Sequence, residues 1–463
     1  MAELLLGIDV GTQGARAVCT TPAGDVVART AAPLVAPAPG PAQEQDPRDW
    51  WEAVASCIRQ LADSRANVAG LAVACTSGTL CALDERFQPV TDAWLYSDTR
   101  AAGCSRFDAS WAAAKLDWLN AEHPDVARTA ALFTSPGGYL ASRLTGELAA
   151  IDYSQALKFG YDLKRDAWPS DLAVEPDRLP PVVAPGSRLG PVRPEVAREL
   201  GLGQSVSVFA GLTDGVAAQL ACGACNTGSE RWVTVVGSTL VWKGAAAQPV
   251  DDAAAGVYSH RGPGGVWFPG AASNAGGRIV SEWFDEARLP ALDARLPDRP
   301  PRAVVYPSLI VGERFPFRST TFVPFATPEG LSEDERYAGC LAGVAFVERW
   351  GYDVFRGLGC RRPASVATTG GAVRSRAWLQ LRADVMQVPL AVPAEPGSAF
   401  GAAIAAGANR HASILEAADA MVKWGTGADP RSEHRTEWSD AYERFRTECR
   451  RRLEGEHEDG QPG

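Results

Sequence analysis

The feature that most constrains this chain is a pattern that occurs twice. Ile8-Asp9-Val10-Gly11-Thr12-Gln13 runs from an apolar strand into a glycine-hydroxyl turn, and Ala15 to Thr20 reads as the strand that returns. About 230 residues later, Val235-Val236-Gly237-Ser238-Thr239 does the same, and Leu240 to Lys243 returns. A single strand-turn-strand unit cannot bury its own apolar faces, so the repeat predicts two similarly built α/β lobes. The length agrees, because 463 residues exceed what one hydrophobic core usually serves.

Other elements follow from local signals. Leu4 to Asp9, Val26 to Thr30, Val68 to Thr76 and Arg231 to Val236 read as strands, and Leu80 to Leu83 starts another. Asp46-Pro47 opens a helix, with Asp46 as N-cap and Pro47 in its first turn. Residues 110–145 read as mostly helical. Ser207 to Leu212 reads as a strand, and small-residue helices are expected over Val216 to Ala224 and Gly401 to Ala408. Ser365 to Val385 reads as strand, turn and helix, and terminal helices are expected over 412–452. Glu454 to Gly463 is polar and is expected to fray.

The charge balance is 45 Lys+Arg against 55 Asp+Glu, a net −10. That excludes a broad nucleic-acid surface, which needs clustered cations, but not one anionic small molecule. Lys occurs only at 115, 158, 164, 243 and 423, a bias expected of a GC-rich genome. Ten irregularly spaced Cys do not make a disulfide scaffold, and Cys222 and Cys225 read as packing residues in a tight helix. No signal peptide and no run of about 20 apolar residues is evident, so the expected compartment is the cytoplasm, with no membrane span.

Three motifs carry candidate chemistry. Gly7 to Gly14 lacks the Gly-Lys-Ser/Thr of a P-loop and the first glycine of a dinucleotide fingerprint. It suits a hairpin that cradles phosphate on backbone N–H groups, with Asp9 beside a hydrated Mg²⁺; an ordinary Gly-rich hairpin is the alternative. Gly211 to Ala218 places Asp214 between a strand and a helix, either as a base for a substrate hydroxyl or as a helix N-cap. Ala367 to Ser375 enters a Gly370-Gly371 turn that suits a flat ring or phosphates close to backbone, or is a plain strand-helix turn. A Ser-His-Asp hydrolase has no support, since no Gly-x-Ser-x-Gly elbow occurs.

Taken in this order, the motifs resemble the FGGY carbohydrate kinase family over about Leu4 to Ala408. Gly7 to Gly14 resembles its first phosphate loop, Trp232 to Trp242 its second, Thr369 to Arg374 with Trp378 to Pro389 its adenosine segment, and Gly211 to Ala218 the segment of its catalytic Asp. Thr76-Ser77-Gly78-Thr79 stands where bacterial xylulokinases carry Met-His-Gly. Leu95 to Arg100 resembles the family's substrate-side Asn-Asp-x-Arg segment, with Ser97 in place of Asn. Asp152 to Asp162, Ala272 to Gly277, and Tyr306-Pro307 with Gly312 to Phe317 are similar to the plant and cyanobacterial D-ribulose kinases, a subgroup also labelled xylulokinase-like.

The resemblance implies two ribonuclease H-like lobes of the actin, hexokinase and heat-shock ATPase superfold, with an ATP cleft between them. The expected division is 1–228, 229–452 and a tail at 453–463. It implies Asp214 as catalytic base, and nucleotide contacts from Gly11, Thr12, Gln13, Gly237, Ser238, Thr239, Gly276, Gly370, Gly371 and Ala372. The implied sugar contacts are Asp9, Ser77, Gly78, Asp98 and Asp214, and the implied Mg²⁺ carboxylates are Asp9 and Asp214. Lys158 and Arg314 are open between site and solvated surface. The expected activity is ATP-dependent phosphorylation of a ketopentose at C5, D-ribulose first and D-xylulose or another ketose or polyol second, by a monomer or homodimer. A sugar-responsive binding protein and a chaperone-like ATPase on the same fold are the competing expectations.

Overall fold

The computed structural model describes residues 3–458, with side chains through Glu454. The chain forms two compact units. One comprises 1–223, 260–265 and 395–423; the other comprises 224–259, 266–394 and 424–463.

Each unit is organised by a six-stranded sheet. In the first, numbering only strands of the two main sheets, these are β1 (Leu4–Gly11), β2 (Gly14–Thr20), β3 (Val26–Pro33), β4 (Val68–Cys75), β5 (Arg188–Pro191) and β6 (Ser207–Phe209). The order is β5-β6-β4-β1-β2-β3. The second sheet contains β7 (Arg231–Val236), β8 (Leu240–Lys243), β9 (Tyr258–Arg261), β10 (Trp267–Ala272), β11 (Ser365–Thr369) and β12 (Leu390–Ala391). Its order is β9-β10-β8-β7-β11-β12.

The two sheets repeat one plan. β1 pairs antiparallel with β2 and parallel with β4, which is parallel to β6. Correspondingly, β7 pairs antiparallel with β8 and parallel with β11, which is parallel to β12. The tight hairpins follow from turns that need few residues, whereas parallel partners need helical crossovers. Both central strands are almost wholly buried, which is why they read as continuous apolar runs.

The break between units falls at Gly223/Ala224, but the first unit also reclaims 395–423, so it is not one continuous stretch of chain. The reason is steric. Helix Ser398–Ala406 is built of small residues and lies so close to β1 that a Cβ at Gly7 would strike the backbone of Ala399 and Ala403. A Cβ at Gly401 would likewise strike Ala217 in helix Asp214–Ala221. Glycines allow such backbone approach.

Other differences are local. Residues 110–145 contain three helices, but β-strand Leu132–Thr134 interrupts them by pairing with Cys81–Leu83. The helix expected from Val216 starts at Asp214 and stops at Ala221, so buried Cys222 and Cys225 lie beyond it. The last helix runs from Arg435 to Glu458 rather than fraying at Glu454, and residues 459–463 of the expected tail lie outside the described residues. No helix among the described residues is long and apolar enough to cross a membrane.

Candidate active site

The first unit aligns its functional groups at the carboxyl ends of its parallel strands, where α/β sheets present ligand sites. The register pairs Asp9 with Ala74 and Val10 with Cys75, and Cys75 in turn bridges to Thr213. The Cys75 N–H donates to the Leu212 carbonyl at 3.1 Å. This places Asp9, the Thr76-Ser77-Gly78 segment and Asp214 at the ends of three neighbouring chain segments. Thr213 is the N-cap residue of helix Asp214–Ala221, and Asp214 is its first residue and exposed. Asp214 is therefore not the cap; it stands at the positive end of the helix, which favours its charge.

Asp9 and Asp214 act on each other electrostatically. Burial, followed by the charge of Asp214, raises the Asp9 carboxyl from 3.8 to about 6, while Arg16, 3.9 Å away, works the other way. Buried Cys75 is pushed up first by burial and then by Asp214, Asp152 and Asp9, which places all three carboxylates around one strand end. Two carboxylates in a shared field are the donor set expected for Mg²⁺, which takes one or two carboxylates and completes its shell with water and phosphate oxygens. No group of three or more His, Cys, Asp or Glu able to hold a metal is found among the described residues. Asp9 and Asp214 thus fit a hydrated cation rather than a closed protein cage.

The Thr12-Gln13 turn is held from below. The Gln45 amide donates to the Thr12 carbonyl at 2.8 Å and accepts from the Trp50 indole at 3.0 Å, and the Leu34 N–H donates to the Gln13 carbonyl. Gln45 carried no motif and was not legible as a site residue. Beyond β4, the Ser77 hydroxyl is buried and has no hydrogen-bond partner, while Thr76 and Thr79 bond to each other at 2.9 Å. A buried orphan hydroxyl is costly unless a ligand or water meets it. Gly78 has φ +82 and packs against the Ser110 carbonyl, so only glycine suits this turn.

Asp98 is 2% exposed, and its oxygens accept from the Gln43 N–H and from the Arg100 backbone and guanidinium. Burial opposes its charge, but the hydrogen bonds from Arg100 and Gln43 outweigh burial and hold the carboxyl low. Its position orients Arg100. Lys158 is neither free surface nor an ion-pair partner of these acids: its ammonium lies 4.3 Å from the Trp111 ring centre, and burial lowers its pKa. The Arg314 guanidinium donates to the Ser273 carbonyl.

In the second unit, three predicted turns meet. The Gly277 N–H donates to the Gly237 carbonyl at 2.8 Å, and the Arg278 N–H donates to the Ser238 carbonyl at 3.3 Å. A Cβ at Gly276 would strike Ser238 and Thr239, and one at Gly370 would strike Val236 and Gly237. The structure therefore gathers Gly237, Ser238, Thr239, Gly276, Gly370, Gly371 and Ala372 around the ends of β7 and β11. Behind them, Arg382 forms a two-pronged bond to Glu348 at 2.7 and 2.8 Å and donates to Thr368 at 2.8 Å, all three buried.

The N-terminal domain of the FGGY family of carbohydrate kinases matches residues 4–107 and 105–221, and its C-terminal domain matches residues 232–410. The chain belongs to this family. It is a kinase that phosphorylates a sugar. It is 26% identical to xylulose kinase of Escherichia coli, over 89% of this chain and 92% of that one. Gluconokinase of Bacillus licheniformis is 25% identical over 87% of each chain. The crystal structure of a xylulose kinase from Brucella ovis superposes with a TM-score of 0.86 at 22% identity, covering 96% of this kinase and 98% of that chain, and shares its actin-like ATPase fold.

Proposed function

We propose that this kinase transfers the γ-phosphoryl group of ATP to the C5 hydroxyl of a ketopentose, D-ribulose in the first instance, giving D-ribulose 5-phosphate and ADP. The observation that carries this reading is the Asp9–Asp214 pair at the strand ends, beside the unpartnered hydroxyl of Ser77. Asp214 takes the C5 hydroxyl proton as that oxygen bonds to phosphorus and the bridge to ADP breaks. Ser77 and the Gly78 backbone meet sugar hydroxyls, and Asp98 aims Arg100. In the second unit the turns at 237–239, 276 and 370–372 suit the nucleotide, and in the first unit Gly11 to Gln13 suits phosphate. Asp9 and Asp214 would hold Mg²⁺, which would neutralise charge on the phosphates. Since the transition state is loose, positioning and charge do most of the work.

D-Xylulose is the second reading, supported by the similarity to xylulose kinase of E. coli over most of both chains. Against it stands Thr76-Ser77-Gly78 in place of a His-bearing segment. The deciding measurement is kcat/KM for both sugars. A D-xylulose preference of about tenfold, roughly 1.4 kcal/mol in transition-state binding, reverses the choice. Asp214→Asn should cost on the order of 10²–10⁴-fold in kcat while the protein stays folded. Near-wild-type turnover in that variant would remove Asp214 as the base.

A further inference from the structure

Asp152 is the most completely buried carboxylate near the site, with 0% exposure, and the transfer chemistry above does not use it. Among the described residues no cation pairs with it. Its oxygens accept instead from the Ser154 N–H at 2.9 Å, the Ser154 hydroxyl at 2.7 Å and the Gln155 N–H at 3.1 Å. Part of this is ordinary capping of the short helix Tyr153–Leu157. The hydroxyl is not part of the cap. Its hydrogen is committed to Asp152, so its oxygen is left as an acceptor, and the Thr213 N–H donates to it at 2.9 Å. Thr213 is the residue immediately before Asp214, and its own side chain makes no capping bond.

We infer that Asp152 and Ser154 are positioning residues for the catalytic base: a relay from the Asp152 carboxylate through the Ser154 hydroxyl to the Thr213 N–H fixes the backbone from which Asp214 projects. The direction of the relay follows from donor inventory. An ionised carboxylate only accepts, so the serine must donate to it and accept from the amide. A neutral amide at 152 would compete for the same oxygen or abandon the N–H groups of Ser154 and Gln155. The junction is also tied on its carbonyl side, where Thr213 accepts from the Val216 and Ala217 N–H groups, and by the bridge from Thr213 to Cys75. Removing the relay leaves those bonds in place and releases only the amide side of Thr213, next to Asp214. Small misplacement of a catalytic group costs rate more than binding. Burial raises Asp152 to about 6, opposed by its bonds to Ser154 and Gln155, so the carboxylate is held by this geometry and not by a counter-charge.

The inference rests on Asp214 being the base, and its test separates the two. Ser154→Ala, Ser154→Thr and Asp152→Asn are compared for kcat, for KM of sugar and of ATP, for melting temperature, and for hydrogen exchange over residues 210–216. Ser154→Ala is expected to lower kcat about tenfold or more, with both KM values within about twofold, and to speed exchange of the segment. Ser154→Thr keeps the hydroxyl and is expected to recover most of kcat. A Ser154→Ala enzyme with wild-type kcat overturns the relay. So does a loss that appears in KM, or a threonine variant as slow as alanine, since either marks a packing role. If Asp152→Asn fails to fold, the serine pair decides alone. An active Asp214→Asn enzyme would defeat the base assignment; an inactive Asp214→Asn beside a fully active Ser154→Ala defeats only the relay.

Discussion

The charge of Asp214, at the start of its helix, bears on Asp9 near the end of β1, and together with burial it holds the Asp9 carboxyl up at about 6. The enzyme keeps this pair at a cost to its fold. For a carboxyl whose folded pKa lies above its unfolded value, the folded state retains the proton longer. Its contribution to stability is therefore full below about pH 4 and is lost as pH rises through about 6. By linkage the loss amounts to at most about 3 kcal/mol. Asp9→Asn should melt several degrees higher than wild type at pH 7.5 in magnesium-free buffer and show no such margin at pH 4. Melting curves at the two pH values check this, and an equal margin at both would show that titration is not the cause.

Gly370 has φ +95, and its missing side chain leaves room for the Val236 carbonyl. Gly370→Ala adds both left-handed strain and a collision at the turn of β11. The expected result is a loss of about 1–3 kcal/mol by urea denaturation, from strain at a special backbone position. KM for ATP should rise severalfold while KM for the sugar stays level, because the sugar contacts proposed above lie in the first unit. A rise confined to the sugar would contradict the assignment of this turn.

Both hairpins, the glycine turns and the place of Asp214 between strand and helix were legible because short-range grammar fixes them: apolar run, glycine, hydroxyl or acid, then return. What was not legible joins residues far apart. Ser154 and Thr213 are 59 positions apart, Arg382 and Glu348 are 34 apart, and nothing local marks any of them as paired. By chain order helix Ser398–Ala406 is expected in the C-terminal lobe; the close backbone approaches at Gly7, Gly70 and Gly401 tie it to the first unit. The orphan hydroxyl of Ser77 depends on what surrounds it, which no single-residue pattern encodes.

Lys115 shows a second cost. It is 1% exposed, and its ammonium donates to the Ala109 carbonyl at 2.7 Å. Burial lowers its pKa from 10.5 to about 8, with Asp98 and Asp108 opposing and Lys158 adding to the shift. A lysine with a depressed folded pKa weakens the fold below about pH 8, and that penalty fades as pH rises toward 10.5. The penalty is at most about 3 kcal/mol, less what the hydrogen bond to Ala109 returns. Lys115→Met should therefore be more stable than wild type at pH 7, with the difference shrinking by pH 10. Denaturant midpoints at both pH values test this; a lysine variant that is the more stable at pH 7 would mean the Ala109 bond outweighs burial.

The Glu348–Arg382 pair permits a sharper test, because it is fully buried and also reaches the turn proposed to take the nucleotide. Both side chains are 0% exposed, and the third prong of Arg382 ends on Thr368, two residues before Gly370. A buried ion pair is often no better than a well-packed apolar pair, but losing one partner strands a charge. Arg382→Met alone should cost about 3–5 kcal/mol, since Glu348 then has no counter-charge. Arg382→Met with Glu348→Leu should recover a large part of that. The two costs are thus non-additive, and a double-mutant cycle in urea measures the difference. If the ion pair serves only stability, the double variant regains wild-type KM for ATP as well. If the bond to Thr368 orders the turn at Gly370, KM stays raised in the double variant despite recovered stability, because methionine cannot donate to Thr368. The second outcome is expected: Arg382 spans the distance from the core helix Glu333–Gly357 to the end of β11, and no other bond to the Thr368 hydroxyl is found among the described residues.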